Sequence, residues 1–179
     1  DVNIAVAVRF PEDKPQRTET GNGKAYAYWD IDLQQEETFD LEKIAAIYTS
    51  VRNKNDFAAQ AMSDVKEADS YFMCATESMA AWSELWDVAD IQIEGDREAQ
   101  KLIRLHIYHL LCSFSPHNEK LDASITARGL HGEAYRGHIF WDELFVMPWY
   151  SRTFPNAAKA MLMYRYRRLD KAREYANIH

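Results

Sequence analysis

Three of the chain's six glycines, Gly129, Gly132 and Gly137, fall within nine residues of one another. Arg128, His131, Glu133, Tyr135, Arg136 and His138 stand between and around them, and Phe140-Trp141-Asp142-Glu143 follows at once. A stretch this dense in polar and aromatic groups is costly to bury as plain connection, and its glycines permit tight turns and close backbone approach to a ligand. An acid beside a tryptophan suits a sugar. The carboxylate accepts two hydroxyl hydrogen bonds while the indole covers the apolar ring face. The same residues also fit a charged turn in which Asp142 only caps a short helix through Leu144 to Tyr150. Taken alone, the residues leave both readings open.

Other chemistry-bearing residues are less telling. His106 and His109 stand three apart on one helix face, as a metal-binding pair can, but no third ligand sits at a fitting spacing. They read as surface or core histidines. Cys74 and Cys112 read as small buried hydrophobes. Ser124 and Ser151 lack the glycine context of a nucleophile elbow. Arg165, Arg167, Arg168, Lys171 and Arg173 cluster near the C-terminus, interleaved with Asp170 and Glu174, which describes a solvated helix face better than a phosphate or nucleic-acid site. No catalytic residue, metal ligand or resident cofactor is assigned.

Composition narrows the classes. The chain has 179 residues, 47% hydrophobic and 27% charged, which is enough to fold around a core. Its net charge of -7 argues against a nucleic-acid footprint. No apolar run approaches the ~20 residues of a membrane-spanning helix. Two cysteines do not make a disulfide framework. The compartment stays open, with the cytoplasm favoured. Aromatic residues make up 13% and serve either a large core or a surface that stacks on sugar rings.

The elements that would hold the polar stretch change character along the chain. Val2, Ile4, Val6, Val8 and Phe10 alternate with smaller or polar residues, the pattern of a strand with one buried face. Pro11 to Lys24 is a loop or hairpin connection. A second strand places Ala25, Ala27, Trp29, Ile31 and Leu33 on one face, and Leu41 to Val51 forms a third. From Asp56 to Glu94 there is neither Gly nor Pro. Ala61, Val65, Ala68, Phe72, Ala75, Met79, Trp82 and Trp86 share one face of one helix, or of two end to end, with Asp56 as N-cap. Asp96 caps another helix with a wide apolar face from Leu102 to Leu111. Pro155 opens a last helix, lined by Leu162, Tyr166, Leu169, Ala172 and Ala176.

The run Ala127-Arg128-Gly129-Leu130-His131-Gly132-Glu133-Ala134-Tyr135-Arg136-Gly137-His138-Ile139-Phe140-Trp141-Asp142 closely resembles glycoside hydrolase family 65, the maltose, trehalose and kojibiose phosphorylases and related hydrolases. The family pattern, approximately A-R-G-L-x-G-x-x-Y-x-G-H-x-F-W-D, is met at each fixed position. Tyr48-Thr49-Ser50 resembles the last strand of the family's N-terminal β-sandwich. The segment from Trp82 to Asp96 resembles the entry to its barrel, and Tyr164-Arg165-Tyr166 with Ala172-Arg173 resembles the helix after the motif. The family reads F-W-D-T-E where this chain has Phe140-Trp141-Asp142-Glu143-Leu144, so Glu143 meets the family's glutamate only with a shift of ~100° around the helix.

The resemblance implies an α+β fragment, with a few antiparallel strands followed by helices of an incomplete (α/α)6 barrel. Residues 1–52 would end the β-sandwich, 53–115 would form a helical linker and barrel entry, and 116–179 would begin the barrel. It implies cleavage of an α-linked glucose disaccharide with inversion, by water or by inorganic phosphate as co-substrate. Hydrolysis by inversion needs two carboxyls about 6.5–9.5 Å apart. Trp141 and Asp142 would line the sugar site, with Arg128, Glu133, Tyr135, His138 and Glu143 shaping it. The family's general-acid glutamate lies downstream of the motif, beyond His179, so the isolated chain is expected to be inactive. The alternative is a non-catalytic carbohydrate-binding or interaction protein that keeps the motif. A partial barrel would leave apolar faces uncovered and favour a homo-oligomer.

Overall fold

The computed structural model of the chain describes residues 2–10, 14–51, 55–129 and 135–178. Strands come first and helices after, an α+β order. The chain forms two units, Asp1–Trp82 and Ser83–His179, and each has its own core.

In the first unit, β1 (Ile4–Arg9) pairs antiparallel with β4 (Ile44–Thr49), Val6 standing opposite Ile47. Between them β2 (Arg17–Gly21) and β3 (Lys24–Tyr28) form a hairpin. Its two-residue turn, Asn22-Gly23, has φ of 53° and 71°, the left-handed pair that a tight hairpin requires and that Asn and Gly tolerate best. The Pro11–Lys24 connection therefore carries a strand of its own, and the strand expected to reach Leu33 stops at Tyr28. There the Asp30 N–H donates to Gln16 Oε1 at 2.6 Å, and Gln16 Nε2 donates to the Asp30 carbonyl at 3.2 Å.

Helix α1 (Phe57–Glu67) packs on the β1–β4 pair, and Ala7, Ala61 and Val65 form the core between them. The alternation in β1 is present, but the covered face is the opposite of the one its larger residues suggest. Ala5 and Ala7 face the helix, while Ile4, Val6, Val8 and Ile47 are exposed. Alanine lets helix and sheet approach closely, and polar tethers on the same side fix the pairing. Arg9 donates from Nε to the Val65 carbonyl at 2.8 Å and from a terminal nitrogen to the Ala68 carbonyl at 2.5 Å. These are carbonyls that a helix end leaves without a partner. The Tyr48 hydroxyl donates to the Asp64 carboxylate.

The long helical stretch is two helices. Ala68 leaves the helical range with ψ of 138°, and Ser70 Oγ accepts from the Met73 N–H at 3.4 Å to begin α2 (Tyr71–Ala89). The eight-residue stripe does not stay on one buried face. Ala61 and Val65 are buried, whereas Phe72 is 72% exposed and Met79 is also exposed. Asp56 precedes α1 without a side-chain cap bond.

The second unit contains α3 (Arg97–Ser113), α4 (Glu143–Thr153), α5 (Pro155–Tyr166) and α6 (Leu169–Ile178). Asp96 caps α3, accepting from the Ala99 N–H at 2.9 Å, and Pro155 occupies the first turn of α5. The buried face of α3 is narrower than its sequence suggests: Ile107 and Leu111 are covered, and Leu102 and Leu105 are exposed. The C-terminal helix divides after Tyr166, and α5 buries Ala157, Ala158 and Met161 instead of Leu162 and Tyr166. Two adjacent alanines allow α5 to lie close against α4, where a leucine-and-tyrosine face would hold it away. Leu162, Tyr166 and Leu169 remain exposed.

Tyr150 is the centre of this core, with 0% exposure, among Phe114, Ile125, Ala157 and Met161. Its hydroxyl shares its one proton between the carbonyls of Phe114 and Leu110, at 2.6 Å and 2.9 Å, at the C-terminal end of α3. Burial pushes its phenol well above the ordinary tyrosine value.

The Tyr150 phenol stays protonated in the folded chain while the unfolded chain ionises near pH ~10, so its contribution is complete below pH ~10 and declines as pH rises further. Urea melts from pH 7 to 11 will show this alkaline loss in the wild type and a smaller one in Tyr150→Phe. That variant will lose about 1–2 kcal/mol at neutral pH, where the hydroxyl bonds are missing. In the first unit, Arg9→Met will cost about 1–3 kcal/mol in the same melts, because two helix-end carbonyls lose a charged donor.

Candidate functional site

A cleft of about 600 Å³ lies within the second unit. One wall is a stripe of α3, namely Leu105, His106, His109, Leu110 and Ser113. That i, i+1, i+4, i+5, i+8 spacing keeps them on one side of the helix. Thr126, Ala127 and Gly129 supply another wall, and Asp142 and Val146 reach it from the start of α4. Among the described lining residues Asp142 is the one carboxylate.

Asp142 immediately precedes α4 but makes no side-chain cap bond, and its backbone is already helical, with φ -56° and ψ -30°. The side chain thus makes no helix-cap bond of the kind its position suggests, and the residue lines the cleft. Two imidazoles, a serine and a threonine stand around the same space. Each is able to donate to or accept from a hydroxyl.

The other residues singled out in the motif lie elsewhere. Trp141 is 65% exposed, with its ring 5.2 Å from that of Phe145. Tyr135 and His138 gather on Phe140, Tyr135 edge-on at 5.6 Å and His138 stacked at 6.0 Å. Arg128 is exposed, and its carbonyl accepts from Thr126 Oγ1 at 2.6 Å. Glu133 and His131 lie outside the described residues. The two arms of the motif are joined where the Ala127 N–H donates to the His138 carbonyl at 3.2 Å. Tyr135, Arg136 and Gly137 form a left-handed turn, with φ of 55°, 52° and 68°. Two consecutive non-glycine residues there carry a cost of order 1–2 kcal/mol each.

Glu143, expected beside the sugar, turns into the protein. It is 5% exposed, and both oxygens are engaged. Ser124 Oγ donates to Oε2 at 2.5 Å, and Arg165 Nε donates to Oε1 at 2.5 Å. Arg165 also donates to the Phe140 carbonyl and, at 3.4 Å, to that of Ile139. Neither partner carries a local sequence signal. Ser124 has no glycine context, and Arg165 is one of several arginines on a polar helix end. Its neighbours Arg167 and Arg168 do pair at the surface, on Asp122 at 3.2 Å and 2.9 Å. They hold the Asp122 carboxyl below its ordinary value, Arg168 most strongly. His106 and His109 were visible as a spaced pair, but their place on a cleft wall was not.

Comparison with known proteins gives this geometry a family. Residues 104–179 match the model of the glycosyl hydrolase family 65 central catalytic domain. An uncharacterized glycosyl hydrolase of Mycobacterium tuberculosis is 44% identical over 82% of this chain and 11% of its own length. Kojibiose phosphorylase of Caldanaerobacter subterraneus subsp. tengcongensis is 39% identical over 85% of this chain and 20% of its own. Trehalose 6-phosphate phosphorylase of Lactococcus lactis is 37% identical over 83% of this chain and 19% of its own. The chain thus spans between 11% and 20% of the length of these relatives. No helix among the described residues is long and apolar enough to cross a membrane. From the motif and these matches together, the chain belongs to glycosyl hydrolase family 65, with residues 104–179 in that family's central catalytic domain.

Proposed function

We propose that the cleft receives one glucosyl unit of an α-linked glucose disaccharide. The observation that carries this reading is the Asp142 carboxylate on the wall of a cleft of about 600 Å³, a size suited to a small ligand. Asp142 accepts from adjacent sugar hydroxyls, and His106, His109 and Thr126 supply further hydrogen-bonding partners. Trp141 does not line the cleft; its exposed indole, next in sequence to Asp142, is a flat apolar surface for a part of the sugar outside it. Arg128, Tyr135 and His138 belong to the same motif and shape the segment that leads to it; Glu133 belongs to the motif too and lies outside the described residues.

The parent enzyme in this reading cleaves the disaccharide with inversion. Relatives named as kojibiose and trehalose 6-phosphate phosphorylases favour inorganic phosphate as the attacking co-substrate over water. Inverting cleavage needs a general acid besides the groups that hold the sugar. In this reading the general acid is a group other than Asp142, the one carboxylate among the described lining residues of the cleft. The 179 residues by themselves then bind sugar without turning it over. In domain terms, residues 1–52 end a β-sandwich, 53–115 connect, and 116–179 open an (α/α)6 barrel. The exposed apolar residues of α5 and α6 favour self-association of the isolated chain.

Calorimetric titration of the chain with glucose and with kojibiose will give measurable binding, weakened about 10- to 100-fold in Asp142→Ala, the loss of a charged acceptor. Equal affinity in the variant would sink the assignment of the cleft. Incubation of the isolated chain with kojibiose, trehalose or maltose and phosphate will release no glucose 1-phosphate. Sedimentation at high concentration will show dimers or larger species, and a monomer would remove the association.

A further inference from the structure

We propose that Arg165 is the positioning residue for the Trp141-Asp142 pair: one guanidinium on α5 grips the chain on both sides of that dipeptide. The inference rests on the sugar-site reading for its functional meaning, but its geometry stands apart from it. On the N-terminal side, a terminal nitrogen of Arg165 donates to the carbonyls of Phe140 and Ile139. On the C-terminal side, Nε donates to the Glu143 carboxylate at 2.5 Å. Trp141 and Asp142 are the two residues between these anchor points.

The chemistry requires an arginine. A guanidinium is a rigid planar fork with five donors, so it can bond a carboxylate and carbonyls in different directions at once. A lysine ammonium is a single nitrogen and keeps the charge without the fork. The base of the grip is firm, because α5 is seated in the core through Ala157, Ala158 and Met161. Glu143 is steadied from a second direction by Ser124 Oγ at 2.5 Å. Ser124 lies just before Ile125, Thr126 and Ala127, which line the cleft. The buried carboxylate therefore links the cleft wall, the motif and α5.

Residues 139–142 lie outside the regular helices and strands and their ladders; the Trp141 and Asp142 carbonyls accept from the Leu144 and Phe145 N–H groups at 3.0 Å and 3.1 Å, and those of Ile139 and Phe140 accept from Arg165. The two carbonyls held by Arg165 do the work a ladder would do elsewhere. Glu143 thereby acquires a role that its adjacency to Asp142 conceals: it is the counterion that holds Arg165 over the backbone, while Asp142 alone faces the cleft.

The test uses the chain labelled with 5-fluorotryptophan, its Trp141 ¹⁹F resonance assigned by loss in Trp141→Phe. Arg165→Lys will keep the cooperative melt, move or broaden the Trp141 resonance, leave the other tryptophans in place and weaken kojibiose binding about tenfold. Arg168→Lys, which alters the Asp122 pair on the same helix end, will leave the Trp141 resonance unchanged. Arg165→Gly guards against a variant that does not fold, and millimolar methylguanidinium will restore its Trp141 resonance. An unmoved Trp141 signal in Arg165→Lys overturns the proposal, as does a uniform shift of every tryptophan or a failure of methylguanidinium to rescue. The resonance is read without ligand. A displaced Trp141 in a chain that binds no sugar would overturn the sugar site and leave the grip standing. Sugar binding lost in Asp142→Ala beside an unmoved Trp141 would do the reverse.

Discussion

A carboxylate buried to 5% exposure is expensive unless each oxygen finds a donor. Glu143 satisfies that condition with a serine 19 positions before it and an arginine 22 positions after it. Those two bonds oblige three distant segments to meet: the stretch from Ser124 that lines the cleft, the Ile139–Asp142 approach to α4, and the last turn of α5. Arg165 is half exposed, so the pair is desolvated chiefly on its acidic side, and a single guanidinium can serve both the carboxylate and the backbone. The position of Asp142 on the cleft follows from this knot.

The rest of the second unit is arranged so that the knot has a firm base. Tyr150 bonds the end of α3 to the middle of α4, and the alanine pair of α5 lets α4 and α5 lie close together. In both units small residues mark where elements meet most closely. Ala5, Ala7 and Ala61 do this between sheet and α1, as Ala157 and Ala158 do at the start of α5. The larger apolar residues on the opposite faces, such as Val6 in β1 and Leu162 in α5, are left uncovered within their own units. Close packing rewards contact at van der Waals distance as well as transfer of area from water, and a flat alanine face gives the closest contact.

Family membership and geometry bear on different questions. The similarity runs along most of this chain, yet that span is at most 20% of the relatives compared. It identifies the chain's lineage more firmly than its reaction. The geometry speaks to individual groups. It separates Asp142, which faces the cleft, from Glu143, which is consumed in holding the scaffold, although the two are adjacent and chemically alike.

The sequence by itself determined what depends on near neighbours. The order of strands before helices, the start of α3 at its Asp96 cap, the start of α5 at Pro155 and the family motif around Trp141-Asp142 are local patterns, set by bonds or dihedral limits within a few residues. The break at Ser70 and the strand hidden before Asn22-Gly23 were less legible, because a serine cap and a two-residue turn are weak signals inside longer runs. Only the tertiary structure decided which face of β1 and of α5 is covered, that His106 and His109 border the cleft, and that Ser124 and Arg165 close on Glu143. The physical reason is that periodicity states that a helix or strand has two faces, while the identity of the buried face and the partner of a buried charge depend on residues brought from far along the chain.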